Sequence, residues 1–291
     1  MSPRAGGARR TRARARVRAA ALGLLLLPAL GGCVSEAREK ELGSQIAANV
    51  NARVPLVQDV PLSLYVNDLG QLIARHSARP DLRYHFYIVD NEAVNAFALP
   101  GGYVYVDRGL IERTHNVSEL AGVLAHEIAH VALRHGAKNL QRQMRTSSMS
   151  NLLYRTILGR GPLLDQQALQ LGNELWSAAH SRADESAADQ EAVKYLIATG
   201  IDPQGMVRLF HGLMLEERED PNRSNLEWFS SHPNTASRLA ATQSTIAQAM
   251  PHPVPKLASD NASYPFFLAR MQMLPPAPPM IPMQQITPGV H

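Results

Sequence analysis

Apolar positions recur at helical spacing over residues 37–53 and 62–77, which predicts two helices packing around a domain. Leu82 to Val89 partly alternates, with Tyr84, Phe86 and Ile88 on one face, and reads as a strand. Ala96 to Leu99 and Tyr103 to Val106 flank Pro100-Gly101-Gly102, a strand–turn–strand signal that puts Tyr103 and Tyr105 on a shared face. Apolar runs 120–124 and 131–133 resume the helical pattern, with Ser118 and Glu119 placed for a helix start. Residues 173–198 and the stretch from Thr235 onward are helical in character. Between them, residues 137–172 are less regular. Leu158-Gly159-Arg160-Gly161-Pro162 breaks the pattern and suits either a flap over a cleft or a plain connecting loop.

One helix carries chemistry. Residues 126–130 read His126-Glu127-Ile128-Ala129-His130. Histidines four residues apart lie about 40° apart around a helix and one turn above each other, so both rings reach one cation. Glu127 projects from the neighbouring flank, where it reaches a water beside that cation. This is the zinc-peptidase pattern of two ligands and a general base on one helix. An apolar helix presenting these groups inward is costly unless a metal satisfies them.

A tetrahedral catalytic zinc takes three protein ligands and keeps a position for water. His135 lies five residues past His130, about 140° around the helix, and reads as a cap or surface residue. The metzincin extension is absent, because Leu133 and Gly136 stand where Gly and His are needed. The better third ligand is Glu185. It stands one helical turn before Asp189, which is placed to accept the free N–H of a ligand histidine.

Asn95 to Val106, the histidine helix, Glu185 to Asp189, and Ser231-His232-Pro233-Asn234-Thr235 with Arg238 follow one another in that order. Together they resemble the metallopeptidase family of HtpX and the type I CAAX prenyl protease, over about residues 37–248. The similarity is greatest to its soluble periplasmic branch of BepA- and LoiP-like lipoprotein proteases. The resemblance implies a gluzincin with one zinc held by His126, His130 and Glu185, and Glu127 as base. It implies a zincin-like, mostly helical α+β peptidase domain with a small mixed or antiparallel sheet beside the active-site helix. An edge of that sheet, around Asn95, Ala96 and Phe97, would take substrate backbone as an added strand. His232 is the candidate for stabilising the oxyanion, with Arg238 nearby. No 34-residue repeat follows the peptidase region, unlike the repeat-bearing members of the branch.

Residues 1–32 hold seven arginines and no acid, then an apolar stretch from Ala19 to Leu30 too short for a comfortable span. This reads as a secretory signal. Leu30-Gly31-Gly32-Cys33 resembles a bacterial lipobox, so Cys33, the chain's single cysteine, is the expected lipidation site. Val34 after it favours the outer membrane by resemblance to enteric lipoproteins. The expected compartment is the periplasm, with protein or peptide substrates and outer-membrane assembly machinery as partners. Removing the seven arginines from 29 basic residues leaves 22 against 25 acidic ones, so the net +4 becomes −3 and gives no case for nucleic-acid binding. Residues 251–291 contain ten of the twenty prolines and four methionines, and read as an extended tail without a core, beyond a domain of 33–250. The rival reading is a periplasmic chaperone whose metal site serves binding. A small-molecule metallohydrolase would lack the strand edge.

Overall fold

A computed structural model of the chain describes residues 34–146, 180–219, 227–233, 236–250 and 256–278. Residues 1–33, with the expected signal and Cys33, and residues 147–179, including Gly159 and Gly161, lie outside the described residues.

Helix α1 (Glu36–Asn51) opens on Ser35, whose hydroxyl accepts the Arg38 N–H. Helix α2 (Val60–Ala74) opens on Asp59 in the same way, with Pro61 in its first turn. Strands β1 (His85–Val89), β2 (Ala96–Leu99) and β3 (Tyr103–Asp107) form one mixed sheet in the order β1-β3-β2. β1 is parallel to β3, and β2 is antiparallel to it, with Leu99 opposite Tyr103. The turn between β2 and β3 needs Gly101 (φ 86°) and Gly102 (φ 103°), both in the left-handed region. The ladder begins at His85 rather than Leu82, although Leu82 and Tyr84 are buried beneath it.

The period-2 pattern sorts the sheet's two faces. Phe86, Ile88, Ala96, Val104 and Val106 face the larger core, and Val89, Phe97, Leu99 and Tyr105 face a second core closed by Leu42, Ile46 and Val50 of α1. The expected grouping of Tyr84, Phe86 and Ile88 holds, as does that of Tyr103 and Tyr105.

The short helix α3 (Arg108–Ile111) leads to α4 (Val117–Ala132), which is buried along its whole length. Its cap is Asn116, two residues before Ser118; the Asn116 side chain accepts the Glu119 N–H. A Cβ on Gly122 would lie 2.7 Å from Met206 Cα, so glycine lets α7 (Gln204–Glu219) close onto α4. At its end, Arg134 adopts a left-handed φ of 61° and the chain turns into α5 (His135–Thr146). Helix α6 (Arg182–Thr199) is capped by Ser181 and stopped by Gly200 at φ 82°. It packs along α4. Then come α8 (Trp228–Ser231), α9 (Ala236–Ala249) and α10 (Tyr264–Gln272).

Helix α10 corrects the reading of residues 251–291 as an extended tail. Tyr264, Phe267 and Met271 recur at helical spacing and are buried in the main core. Phe267 stacks on Tyr65 of α2 with ring centroids 4.3 Å apart, and Arg108 donates to the Pro275 carbonyl at 2.5 Å. Proline density hid this stripe, yet Pro265 falls in the first turn, where its missing N–H costs nothing. Phe267→Ala is therefore expected to destabilise the protein by about 3 kcal/mol in urea unfolding, whereas a detached tail would leave the midpoint unmoved.

Candidate active site

Four side chains from three separate stretches meet behind the sheet. α4 supplies His126 and His130, α6 supplies Glu185, and His232 follows the last residue of α8. His126 Nε2 lies 3.0 Å from His130 Nε2 and 3.3 Å from His232 Nδ1. Glu185 Oε1 lies 3.2 Å from His130 Nε2 and 3.0 Å from His232 Nδ1. One donor atom from each of the four falls within 4.8 Å of all the others. None of the four is more than 3% exposed.

The arrangement suits a cation. Donor atoms at zinc–nitrogen bond lengths on a tetrahedron are about 3.4 Å apart, close to the spacing here. A neutral imidazole has one N–H. His126 directs its Nδ1 at Asp189 Oδ1, 3.0 Å away, so in the neutral ring Nε2 presents a lone pair to other lone pairs. Such a set repels itself in the interior unless a positive charge, a proton on His126 or a metal ion, stands among it.

The acids behind the cluster are fixed in turn. Arg238 of α9 donates to Asp189 through Nε at 2.6 Å and Nη2 at 2.8 Å, and reaches Glu185 Oε2 at 2.5 Å. Asp189 and Arg238 thus stand where the sequence placed them, beside the cluster and not in it. Burial pushes the Asp189 carboxyl up, but Arg238 and His126 overcome it and hold it below the usual range. Burial acts likewise on Glu185, and the His232 charge with hydrogen bonds from three histidines drives it far below. Burial lowers His126, yet Asp189 and Glu185 outweigh it and raise the ring to about 9. His130 is pushed well below the ordinary value by burial and by His180.

Glu127 is 1% exposed and neither carboxylate oxygen has a hydrogen-bond partner among the described residues. His232 Nε2 lies 3.5 Å from its Oε1. Burial raises its carboxyl, with His232 and His126 pulling the other way. A buried carboxylate left without partners beside a donor cluster is a group kept for a reactant.

His232 therefore sits among the donor atoms, closer than the oxyanion position expected for it. His135 is also different from expectation: it is 3% exposed, neither a cap nor a surface residue. A residue five positions on lies about 140° away only in a continuous helix; here the left-handed Arg134 folds His135 back until its Nδ1 is 3.0 Å from His130 Nδ1. Sequence reasoning also missed Trp228, stacked on His232 at 4.2 Å, and His180, whose ring centroid lies 4.0 Å from that of His130. Neither has a local signal, since both are brought in from other elements.

β2 is an edge strand, and α4 packs against it. The Asp107 N–H donates to Asn95 O, so by antiparallel alternation Asn95, Phe97 and Leu99 turn their backbone groups toward β3. Ala96 and Ala98 turn theirs to the outer edge. Of the three residues expected to meet substrate, only Ala96 has its backbone so directed.

The chain is similar to the beta-barrel assembly-enhancing protease of Yersinia pestis, 29% identical over 250 residues covering 84% of this chain and 50% of that protein. It is similar to the metalloprotease LoiP of Escherichia coli (strain K12), 28% identical over 210 residues, 70% of this chain and 79% of that protein. The mitochondrial metalloendopeptidase OMA1 of Schizosaccharomyces pombe is 28% identical over 189 residues, 65% and 54% of the two chains. This chain spans about half the length of the beta-barrel assembly-enhancing proteases it matches. The profile of Peptidase family M48 matches residues 63–246, the stretch that holds the whole donor cluster and the edge strand, and on that match the chain belongs to Peptidase family M48.

Proposed function

We propose that this chain is a zinc-dependent endopeptidase of the bacterial cell envelope. The observation that carries the proposal is the unpartnered Glu127 carboxylate beside four converging donors. His126, His130 and Glu185 would hold the zinc, one ion per chain, with His232 as a fourth donor in this arrangement. Zinc, when bound, acidifies a water to a pKa of roughly 7 and polarises the scissile carbonyl. Glu127 then takes the water's proton and delivers it to the leaving amine. Its burial raises its carboxyl toward the range where a base can both accept and release a proton near neutral pH. Asp189 holds the His126 tautomer, and Arg238 keeps Asp189 and Glu185 ionised and in place. A role for His232 in stabilising the oxyanion requires it to leave the donor set, because a catalytic site needs one position for water.

Ala96 and Ala98 offer the outer-edge backbone to a peptide laid along β2, which explains selection for extended protein segments. Misfolded or stalled envelope proteins are the proposed substrates, and the similarity to beta-barrel assembly-enhancing proteases supports a setting near outer-membrane assembly. Attachment to the membrane would come from a lipid at Cys33; among the described residues no helix is long and apolar enough to cross a bilayer.

Glu127→Gln is expected to keep zinc and lose casein cleavage by at least about 10³-fold, as removal of the proton carrier demands. Retained turnover in zinc-replete material would overturn the base assignment, and chelator-insensitive cleavage the metal. A binding-only role predicts no casein cleavage by the wild type at all. Ala98→Pro removes one outward N–H from the edge and should cut kcat/KM for a peptide substrate about tenfold with zinc content unchanged. Because His126 is raised to about 9, the metal-free ring is protonated at pH 7.5 and must lose that proton to ligate. Calorimetric zinc titration in buffers of different ionisation enthalpy should show release of about one proton at pH 7.5, and weaker binding as pH falls.

A further inference from the structure

The two histidines of α4 are supported differently. His126 leans directly on a carboxylate, Asp189, anchored by Arg238. Behind His130, among the described residues, no carboxylate contacts Nδ1; the atom met there is His135 Nδ1, 3.0 Å away. On the far side of the His135 ring, Nε2 faces Asp184 Oδ1 at 3.6 Å. The other oxygen of Asp184 is occupied, accepting from Ser181 Oγ at 2.7 Å and Arg142 Nη2 at 3.0 Å. Asp184 is the residue immediately before Glu185 on α6.

We propose that His135 and Asp184 are positioning residues that fix the tautomer and ring angle of His130: His130 hydrogen-bonds to His135, and the Asp184 carboxylate attracts the proton on the far nitrogen of that ring. The inference rests on the reading that the cluster holds zinc. A ligand His130 has its lone pair at Nε2, so its single N–H is at Nδ1 and donates to His135 Nδ1. His135 must then carry its own proton at Nε2, pointed at the free oxygen of Asp184. A proton on His135 Nδ1 would set two N–H groups against each other at 3.0 Å, and the reverse donation would move the His130 proton to Nε2, where a metal ligand needs its lone pair. His135 is 3% exposed, which limits competition from bulk water for that proton. One stretch of α6 thereby serves both histidines: Asp189 directly and Asp184 at one remove, on either side of Glu185.

The test uses the full chain loaded with zinc. Long-range nitrogen–proton NMR should show His130 protonated at Nδ1 and His135 at Nε2. His135→Leu fills the space and offers no acceptor, so its zinc dissociation constant, read by competition with a chromophoric chelator, should rise about 10- to 100-fold. His135→Asn places its Oδ1 close to the lost Nδ1 and should restore affinity toward the wild type. A His135 ring protonated at Nδ1, or a folded His135→Leu variant that binds zinc as tightly as the wild type, overturns the proposal while leaving the metal reading intact. A wild type that takes up no zinc defeats the metal reading and this inference together. Should leucine unfold the chain, the tautomers of the wild type decide.

Discussion

The structure depends on the close packing of α6 along α4 with polar atoms buried at the seam. Such a seam is unfavourable in isolation, because donors stripped of water and aimed at one another lose hydration without gaining partners. Two features offset that cost. The surrounding wall is apolar and dense, from Leu120, Leu124 and Ile128 on α4 to Ala188 and Ala192 on α6. The outer atoms of the polar groups are also satisfied: Asp189 by Arg238 and Thr242, Asp184 by Ser181 and Arg142. Among the described residues, both Glu127 oxygens keep no hydrogen-bond partner beside the four converging donors.

This division gives α6 its odd composition. Its sequence has little amphipathic character, and acids at 184, 185 and 189 would be a solvated face on most helices. Here Glu185 is fully buried and Asp189 nearly so, while Ala188 and Ala192 are small enough to bring the helix close to α4. The same economy appears where Gly122 admits Met206. Close backbone approach, achieved with small residues, sets the distances on which the donor geometry rests.

The proposed substrate edge and the donor cluster share that frame: β2 is held by β3 on one side and lies against α4, which carries two of the donors. The α1 helix reinforces the arrangement from the opposite sheet face. Its Glu39 is buried between Arg79 and Arg134, which ties α1 to the turn that positions His135. α10 closes the far side against α2, so a segment rich in proline contributes to the core that the site rests on.

The sequence by itself determined the elements whose signals are local. Period-2 and helical spacing placed the strands and five of the ten described helices, and the His126-Glu127-Ile128-Ala129-His130 run identified one face of one helix. Glu185 and Asp189 were legible because their one-turn spacing makes a paired role geometrically feasible. Only the tertiary structure decided what those residues face. His232 entered the donor set, His135 turned from a discarded ligand into a partner of His130, and Ala96 with Ala98, not the full run from Asn95 to Phe97, came to direct backbone groups outward. The physical reason is common to all three. A periodicity fixes the direction of a side chain within its own element, but a single left-handed residue such as Arg134, or the parity of a strand pairing, resets that direction relative to everything else.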